Sequence, residues 1–179
     1  MICALQKYNI LPNNLCDSLI DLFDNDVQHH DRVDSHGLPN FTQLNLNRYH
    51  DKIIPSLCSY FFDIVKLYIK DVPSARFLPQ LECLEEFRIK KYEVGGVDRF
   101  DEHVDVTDYA SSIRCLSMLF YLNDVEEGGC TVFPYENIKI KPEKGNVCVF
   151  PPGWEYPHWG DPPTSNPKYI MSSYLHYNQ

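Results

Sequence analysis

The chain has 179 residues, 44% of them hydrophobic, and a formal net charge of -9 from 16 Lys and Arg against 25 Asp and Glu. This length suits one compact domain that buries a core without disulfide or metal staples, so we predict a single domain over residues 1–179. The acidic balance disfavours a generic nucleic-acid binder, because sequence-independent affinity for phosphate needs clustered Lys and Arg.

The predicted elements begin with a helical third. Pro12, Asn13 and Asn14 predict a helix start with Asn as the cap, followed by an apolar stripe. Residues 28–49 are polar and are predicted to be irregular. Residues 55–70 predict a second amphipathic helix. The two apolar stripes consist of Leu15, Leu19, Leu22 and Phe23 in the first helix, and Leu57, Phe61, Ile64 and Tyr68 in the second.

From about residue 82 the hydrophobic period changes from that of a helix to that of a strand. Short strands joined by Gly, Asn and Pro turns predict an antiparallel barrel or sandwich. We therefore expect helical support over about residues 1–80 and a β core over about 81–179. The candidate strands are residues 86–92, 100–106, 115–122, 130–133, 138–141, 146–150 and 168–177.

Three features bear on the cellular context. The apolar residues 53–69 contain Pro55, Asp63 and Lys66, so no membrane span is expected. The first ten residues lack the basic start and long apolar centre of a signal peptide. The seven cysteines are odd in number and include no Cys-x-x-Cys pair, which predicts reduced thiols in a cytoplasmic protein.

The most informative segment is His103-Val104-Asp105. In an extended strand the side chains of His103 and Asp105 point to the same side and can share a metal. Among the possible third ligands, His158 is favoured because it precedes the final strand and can reach back towards His103. Two His and one Asp leave three octahedral positions open, which suits non-haem Fe(II). The other candidates are His29, His30, His36, His50 and His176.

Several segments around these residues form a joint pattern. They are Arg88-Ile-Lys-Lys-Tyr92, Arg99-Phe-Asp-Glu-His103-Val-Asp105, Arg114-Cys-Leu-Ser-Met-Leu-Phe-Tyr-Leu-Asn-Asp124, Gly128-Gly-Cys-Thr-Val-Phe-Pro134, Lys141-Pro-Glu-Lys-Gly145, and Lys168 ten residues after His158. This pattern resembles the Fe(II)/2-oxoglutarate-dependent dioxygenases, in particular their prolyl 4-hydroxylase-like branch. The resemblance implies an α+β, mainly β fold: a double-stranded β-helix (jelly-roll) core of about eight strands with two or more supporting N-terminal helices.

The same resemblance implies site roles. Fe(II) is bound by the two His and the Asp, 2-oxoglutarate and O₂ are cosubstrates, and ascorbate is a supporting reductant. Lys168 matches the family's basic partner for the distal carboxylate of 2-oxoglutarate. A buried carboxylate needs such a partner. Thr131 resembles a hydroxyl that assists the same carboxylate and Tyr92 a tyrosine near the cosubstrate, although a role in the core or sheet suits both equally well. Arg114 and Tyr174 resemble substrate-side residues, although Arg114 is equally well interpreted as half of an ordinary salt bridge.

The predicted reaction is hydroxylation of a prolyl residue in a peptide or protein, with release of succinate and CO₂. The alternatives are the same chemistry on a lysyl residue, a small molecule or a nucleic-acid base, and a non-catalytic, cupin-like metal-binding module. Lys168 favours the enzyme, because a mere metal-binding barrel has no need of that cation. Tyr174 stands where the branch often carries Trp, which leaves the substrate open.

Much of the negative charge lies in two acidic zones, residues 17–34 and 82–108, each with a net charge of -5. The second zone contains the predicted metal ligands. Its field would favour a basic substrate, chiefly through the encounter rate at low salt, although plain solubility explains such charge equally well.

Overall fold

A computed structural model describes residues 5–34, 39–78 and 84–177 of the chain. Cys3, His36 and Cys83 therefore lie outside the described residues. The helices are α1 (Asn13–Asn25), the single turn α2 (Leu46–Tyr49) and α3 (Ile54–Asp71). The strands are β1 (Gln6–Asn9), β2 (Asp31–Asp34), β3 (Asn40–Asn45), β4 (Arg88–Tyr92), β5 (Phe100–His103), β6 (Arg114–Tyr121), β7 (Thr131–Phe133), β8 (Ile138–Ile140), β9 (Asn146–Phe150), β10 (His158–Gly160) and β11 (Lys168–His176).

The strands form two antiparallel sheets. The larger has the order β1-β9-β6-β11-β4-β3-β2 and the smaller has the order β5-β10-β7-β8. Strands β4 to β11 contribute four strands to each sheet and together make a jelly roll. In the larger sheet β1 extends one edge, and β3 and β2 extend the other. The predicted β core of about eight strands, supported by N-terminal helices, is confirmed.

Strand β9 shows why whole strands of the larger sheet are buried. Val147 and Val149 pack with helices α1 and α3 on the outer face of that sheet. Cys148 and Phe150 point into the space between the two sheets. A sheet covered on both faces has apolar residues at every position instead of an alternating pattern. The inner face is therefore the one available to a site within the jelly roll.

Helix α3 agrees closely with its prediction, and the whole predicted stripe from Leu57 to Tyr68 is buried. In α1, Leu19 and Phe23 are buried as predicted, whereas Leu15 and Leu22 are only partly covered. The predicted Asn cap is wrong: Pro12 is the N-cap residue and no side chain caps the helix. Proline suits this position because it has no backbone N–H to satisfy.

The prediction that residues 28–49 are irregular is wrong. This segment contains β2, β3 and α2, and β3 pairs with β4 on one side and β2 on the other. Phe41 points between the sheets while Leu44 packs against the helices. Long-range pairing satisfies the backbone of a segment whose polar composition conceals its strand character.

Two remaining expectations concern membranes and thiols. Across the described ranges no helix is long and apolar enough to cross a membrane. All five described cysteines are free thiols: Cys16, Cys58, Cys115, Cys130 and Cys148.

Candidate metal centre

The three predicted metal ligands converge in the structure. Strands β5 and β10 pair antiparallel with His103 directly opposite His158. One ligand atom from each of His103, Asp105 and His158 lies within 4.8 Å of the others. Within the described ranges these residues make up the one group of three His, Cys, Asp or Glu that could hold a metal ion.

Two details of the local prediction are wrong. The strand predicted over residues 100–106 ends at His103, so Asp105 lies in the bend that follows. The Asp105 backbone N–H donates to the Pro152 carbonyl at 3.1 Å, which fixes the bend. His158 begins strand β10, a strand that is absent from the list of candidate strands predicted from the sequence. Strand pairing and a pinned bend therefore bring the three groups together.

Backbone carbonyls orient both imidazole rings. Nδ1 of His103 bonds the Asp101 carbonyl at 2.8 Å, and Nδ1 of His158 bonds the Tyr156 carbonyl at 3.1 Å. A carbonyl only accepts hydrogen bonds, so each Nδ1 carries the proton and each Nε2 keeps its lone pair for a metal. Stacking at 3.6 Å between the centroids of His103 and Phe100 holds the first ring in place.

The protonation state of His103 also suits a metal ligand. Burial of the ring, together with the neighbouring His158, lowers the pKa of His103 to about 4. The imidazole is therefore neutral near pH 7, and a metal ion does not have to displace a proton from it.

Asp105 is the part of the site that most needs a cation. Its side chain is 7% exposed. Oδ1 accepts a hydrogen bond from the Tyr174 hydroxyl at 3.0 Å, whereas Oδ2 is buried without a hydrogen-bond partner. A buried carboxylate oxygen without a partner is costly, and a divalent cation held with two imidazoles would satisfy it. The donor set and this oxygen both fit Fe(II).

Lys168 faces the same cavity from the first position of β11, opposite Tyr92 on β4. It is 3% exposed, and its ammonium lies 5.4 Å from the ring of Tyr92 and 5.8 Å from that of Tyr121. No described carboxylate pairs with it, and burial lowers the pKa of Lys168 to about 8. A buried cation of this kind needs an anion from outside the chain.

Thr131 lies beside Lys168 in the cavity wall and is buried. Its Oγ1 accepts a hydrogen bond from the Tyr121 hydroxyl at 2.8 Å. Because the threonine oxygen accepts that bond, its own O–H is free to donate towards an anion. Tyr121 was not predicted as a site residue, although its place on the inner face of β6, two residues after Leu119, could have indicated it.

Arg114 lies at the rim of the site and is held by the protein. Its Nε and Nη2 each donate to Glu85 at 2.7 Å, and Nη1 donates to the Asp105 carbonyl at 2.7 Å. The guanidinium also lies 3.9 Å from the centre of the Tyr174 ring. Arg114 therefore positions Tyr174 and the Asp105 bend, and its contact with a substrate stays a prediction.

The other candidate histidines that the structure describes lie away from the triad. His29 and His50 bond the two oxygens of Asp26 at 2.8 and 2.6 Å. His30 bonds the Phe23 carbonyl, and His176 bonds Glu85 at 3.1 Å. The structure therefore brings together the ligand set favoured from the sequence.

Tyr174→Phe should weaken metal binding without unfolding the site. The variant keeps the ring that packs on Arg114 and loses only the hydrogen bond to Oδ1 of Asp105. Loss of such an orienting partner costs roughly 10- to 100-fold in metal affinity. Titration with Co(II), followed by its visible absorption, measures this, and an affinity equal to that of the wild type would contradict the positioning role.

The fold and the site define a jelly-roll protein with a His, Asp and His metal centre. Residues 87–176, half of the chain, match the family model of the 2OG-Fe(II) oxygenase superfamily, and the chain belongs to this family. The family uses Fe(II), 2-oxoglutarate and O₂. The matched residues include all three predicted ligands and Lys168.

Curated relatives extend the similarity. The chain is 42% identical over 86 residues to "Probable prolyl 4-hydroxylase 9" of Arabidopsis thaliana, an alignment that covers 37% of this chain and 29% of the relative. It is 30% identical over 106 residues to "Prolyl 4-hydroxylase subunit alpha-1" of Gallus gallus, covering 51% and 20%. The chain thus spans less than a third of the length of these two relatives.

Solved structures share the fold over almost the whole chain. The viral collagen prolyl hydroxylase vCPH of Paramecium Bursaria Chlorella virus-1, in a 2OG complex, superposes with a TM-score of 0.75 at 21% identity, covering 98% of this chain and 97% of that one. A Pseudomonas putida prolyl-4-hydroxylase gives 0.74 at 16% identity, covering 99% and 94%.

Proposed function

We propose that this chain is an Fe(II)- and 2-oxoglutarate-dependent dioxygenase that hydroxylates a prolyl residue in a peptide or protein, with release of succinate and CO₂. One observation carries the proposal: a buried ammonium without an ion-pair partner in the described chain, Lys168, lines the same cavity as the triad. A cupin-like metal-binding module would need only the triad. The names of the curated relatives support the prolyl substrate.

The residues have separate tasks in this reaction. Bound Fe(II), with O₂ and 2-oxoglutarate, supplies the oxidising chemistry. His103, Asp105 and His158 would hold the metal through two Nε2 atoms and Oδ2. Lys168 and the free O–H of Thr131 would bind the distal carboxylate of 2-oxoglutarate, with Tyr92 packed against the ammonium. Leu119 and Ile170 line the cavity and keep water out.

The proposal also covers the substrate-side residues, the reductant, the cellular location and the charge of the substrate. Arg114 and Tyr174 would meet the substrate at the rim, and ascorbate would serve as a supporting reductant. A cytoplasmic location is favoured by the buried free thiols Cys16, Cys115 and Cys148, since that compartment keeps thiols reduced. A basic substrate is the least supported part, because most carboxylates of the second acidic zone are ion-paired.

The test uses the full chain with Fe(II), 2-oxoglutarate, O₂ and ascorbate. Proline-containing peptides are compared with copies in which alanine replaces proline, and the peptides are analysed by mass spectrometry. We expect succinate, and peptides heavier by one oxygen atom only where proline is present. Metal binding without any affinity for 2-oxoglutarate would favour the cupin-like module. Addition of an oxygen atom to the peptides in which alanine replaces proline would overturn the prolyl assignment.

A further inference from the structure

Lys90 is a second cation at the site, and the proposed chemistry does not use it. It lines both the inner cavity that contains the triad and the outer groove that leads to it. Its side chain is half-buried, with the ammonium 5.1 Å from the centre of the Phe41 ring. Among the described residues no carboxylate lies within ion-pair distance of this ammonium.

The other two cations of the groove already have partners. Arg114 is bonded by Glu85 through two nitrogens. Arg88 pairs with Glu86 at 2.5 Å and with Glu85 at 3.5 Å. The two carboxylates thus offset the two guanidinium groups, and neither carboxylate lies within ion-pair distance of Lys90.

The cosubstrate does not supply the missing anion either. A divalent metal and the Lys168 ammonium contribute three positive charges to the inner site. Asp105 contributes one negative charge and 2-oxoglutarate contributes two. These charges cancel, so Lys90 keeps an unbalanced positive charge next to the metal. A charge that is partly removed from water gains most from an ionised partner.

The acidic zone around the ligand segment does not compensate for this. Of its eight described carboxylates, five are in ion pairs with Arg or Lys: Glu85, Glu86, Glu93, Asp98 and Asp101. Asp105 belongs to the triad, Asp108 is bonded to Ser111, and the eighth carboxylate, Glu102, is exposed to solvent. The groove therefore has a positive residue at its inner end although the whole chain is acidic.

We propose that Lys90 is a specificity-determining residue that binds a carboxylate on the substrate residue next to the one that is oxidised. The substrate class is thus an acidic peptide segment and not a basic one. The inference rests on the proposed function, because it places the oxidised residue at the triad. Both the peptide and 2-oxoglutarate carry a carboxylate that Lys90 could bind, so the experiment must distinguish these two ligands.

The experiment uses proline peptides that differ in one neighbouring residue, Asp, Asn or Lys, placed before or after the proline. Affinities are measured on the full chain with 2-oxoglutarate and Mn(II) without O₂, so that no turnover is needed. A charged hydrogen bond of this kind changes affinity by roughly 10- to 100-fold. We expect the wild type to prefer Asp over Asn by this factor in one of the two placements.

Two variants and one control complete the test. Lys90→Met should abolish the preference for Asp, and Lys90→Glu should reverse it in favour of Lys. Lys91→Met is the matched control, since Lys91 is the next residue of β4 and pairs with Glu93 away from the cavity. This control should keep the preference of the wild type.

Two results would overturn the inference. One is equal affinity of the wild type for the Asp and Asn peptides in both placements. The other is a Lys90→Met variant that loses affinity for 2-oxoglutarate, titrated without peptide, and keeps its preference among peptides, because the ammonium would then serve the cosubstrate. Failure of the proposed function would give a different result. The protein would still prefer the Asp peptide over the Asn peptide but would form no succinate when Fe(II) and O₂ are supplied.

Discussion

Replacing His103 or Asp105 with alanine should reduce 2-oxoglutarate-dependent succinate formation to background. Each variant removes one of three ligands from a site whose strand pairing cannot supply a substitute. Loss of an outer partner of a metal ligand already costs 10- to 100-fold, so loss of a ligand should cost more than about 100-fold. Succinate is measured in the presence of Fe(II), and metal content is measured on the same protein.

Glu102→Gln is the matched control for this prediction. Glu102 immediately precedes His103 in the chain, is exposed and takes no part in the triad. The control should bind metal and form succinate as the wild type does. Succinate formation that survives the loss of His103 would contradict the assignment of the triad. Thermal unfolding of each variant without metal shows whether the fold is intact.

Lys168→Ala should weaken binding of 2-oxoglutarate while metal binding persists. The variant removes the buried cation that faces the distal carboxylate, and truncation of one member of a buried charge pair costs about 2 kcal/mol or more, at least roughly 30-fold in affinity. The measurement is a 2-oxoglutarate titration with Mn(II) bound and no O₂.

Lys139→Ala serves as the control for Lys168, because Lys139 is an exposed strand lysine that pairs with Asp161. Its affinity for 2-oxoglutarate should not change. An unchanged affinity in Lys168→Ala would place the carboxylate site elsewhere. A parallel loss of metal affinity would mean that the variant disturbs the whole cavity and would contradict a separate anion site.

Affinity for 2-oxoglutarate should also depend on pH through Lys168. Burial lowers the pKa of this lysine from 10.5 to about 8, and binding of the carboxylate needs the ammonium form. Affinity is therefore level below about pH 8 and falls by about tenfold per pH unit above it. Titrations between about pH 7 and about pH 9.5, a range that spans this pKa, test the prediction, and a flat profile would contradict the role of Lys168.

The same shift has the opposite effect on the stability of the protein without ligand. Because the folded-state pKa lies below the ordinary value of 10.5, the unfolded chain binds more protons between these two values. Stability without ligand should therefore rise with pH from about 8 to 10.5, where the folded state has already released its costly proton.

Local patterns in the sequence were sufficient to predict two kinds of element: those with one apolar and one polar face, and those that are apolar on both faces. The stripe of α3 and the continuous apolar run of β9 predicted their bounds to within one residue. The residue types of His103, Asp105 and His158 predicted the metal chemistry, because the number and type of ligands are properties of the residues themselves. The role of Lys168 was implied by the resemblance to the dioxygenase family. The bounds of α3 and β9 depend mainly on residues that are neighbours in the chain.

Only the tertiary structure decided the parts that depend on distant residues. Strand β3 exists because β2 and β4 pair with it. His158 lies in a strand, β10, because β5 pairs with that segment. The charges show this most clearly. The second acidic zone has a net charge of -5 in sequence, yet five of its eight described carboxylates are in ion pairs, and the cations of four of these pairs come from three different strands and a helical turn. Lys90 is left without a described partner. The sequence by itself determined which groups are present, and the fold decided which of them neutralise one another, because Coulomb interactions depend on distance in space and not on separation along the chain.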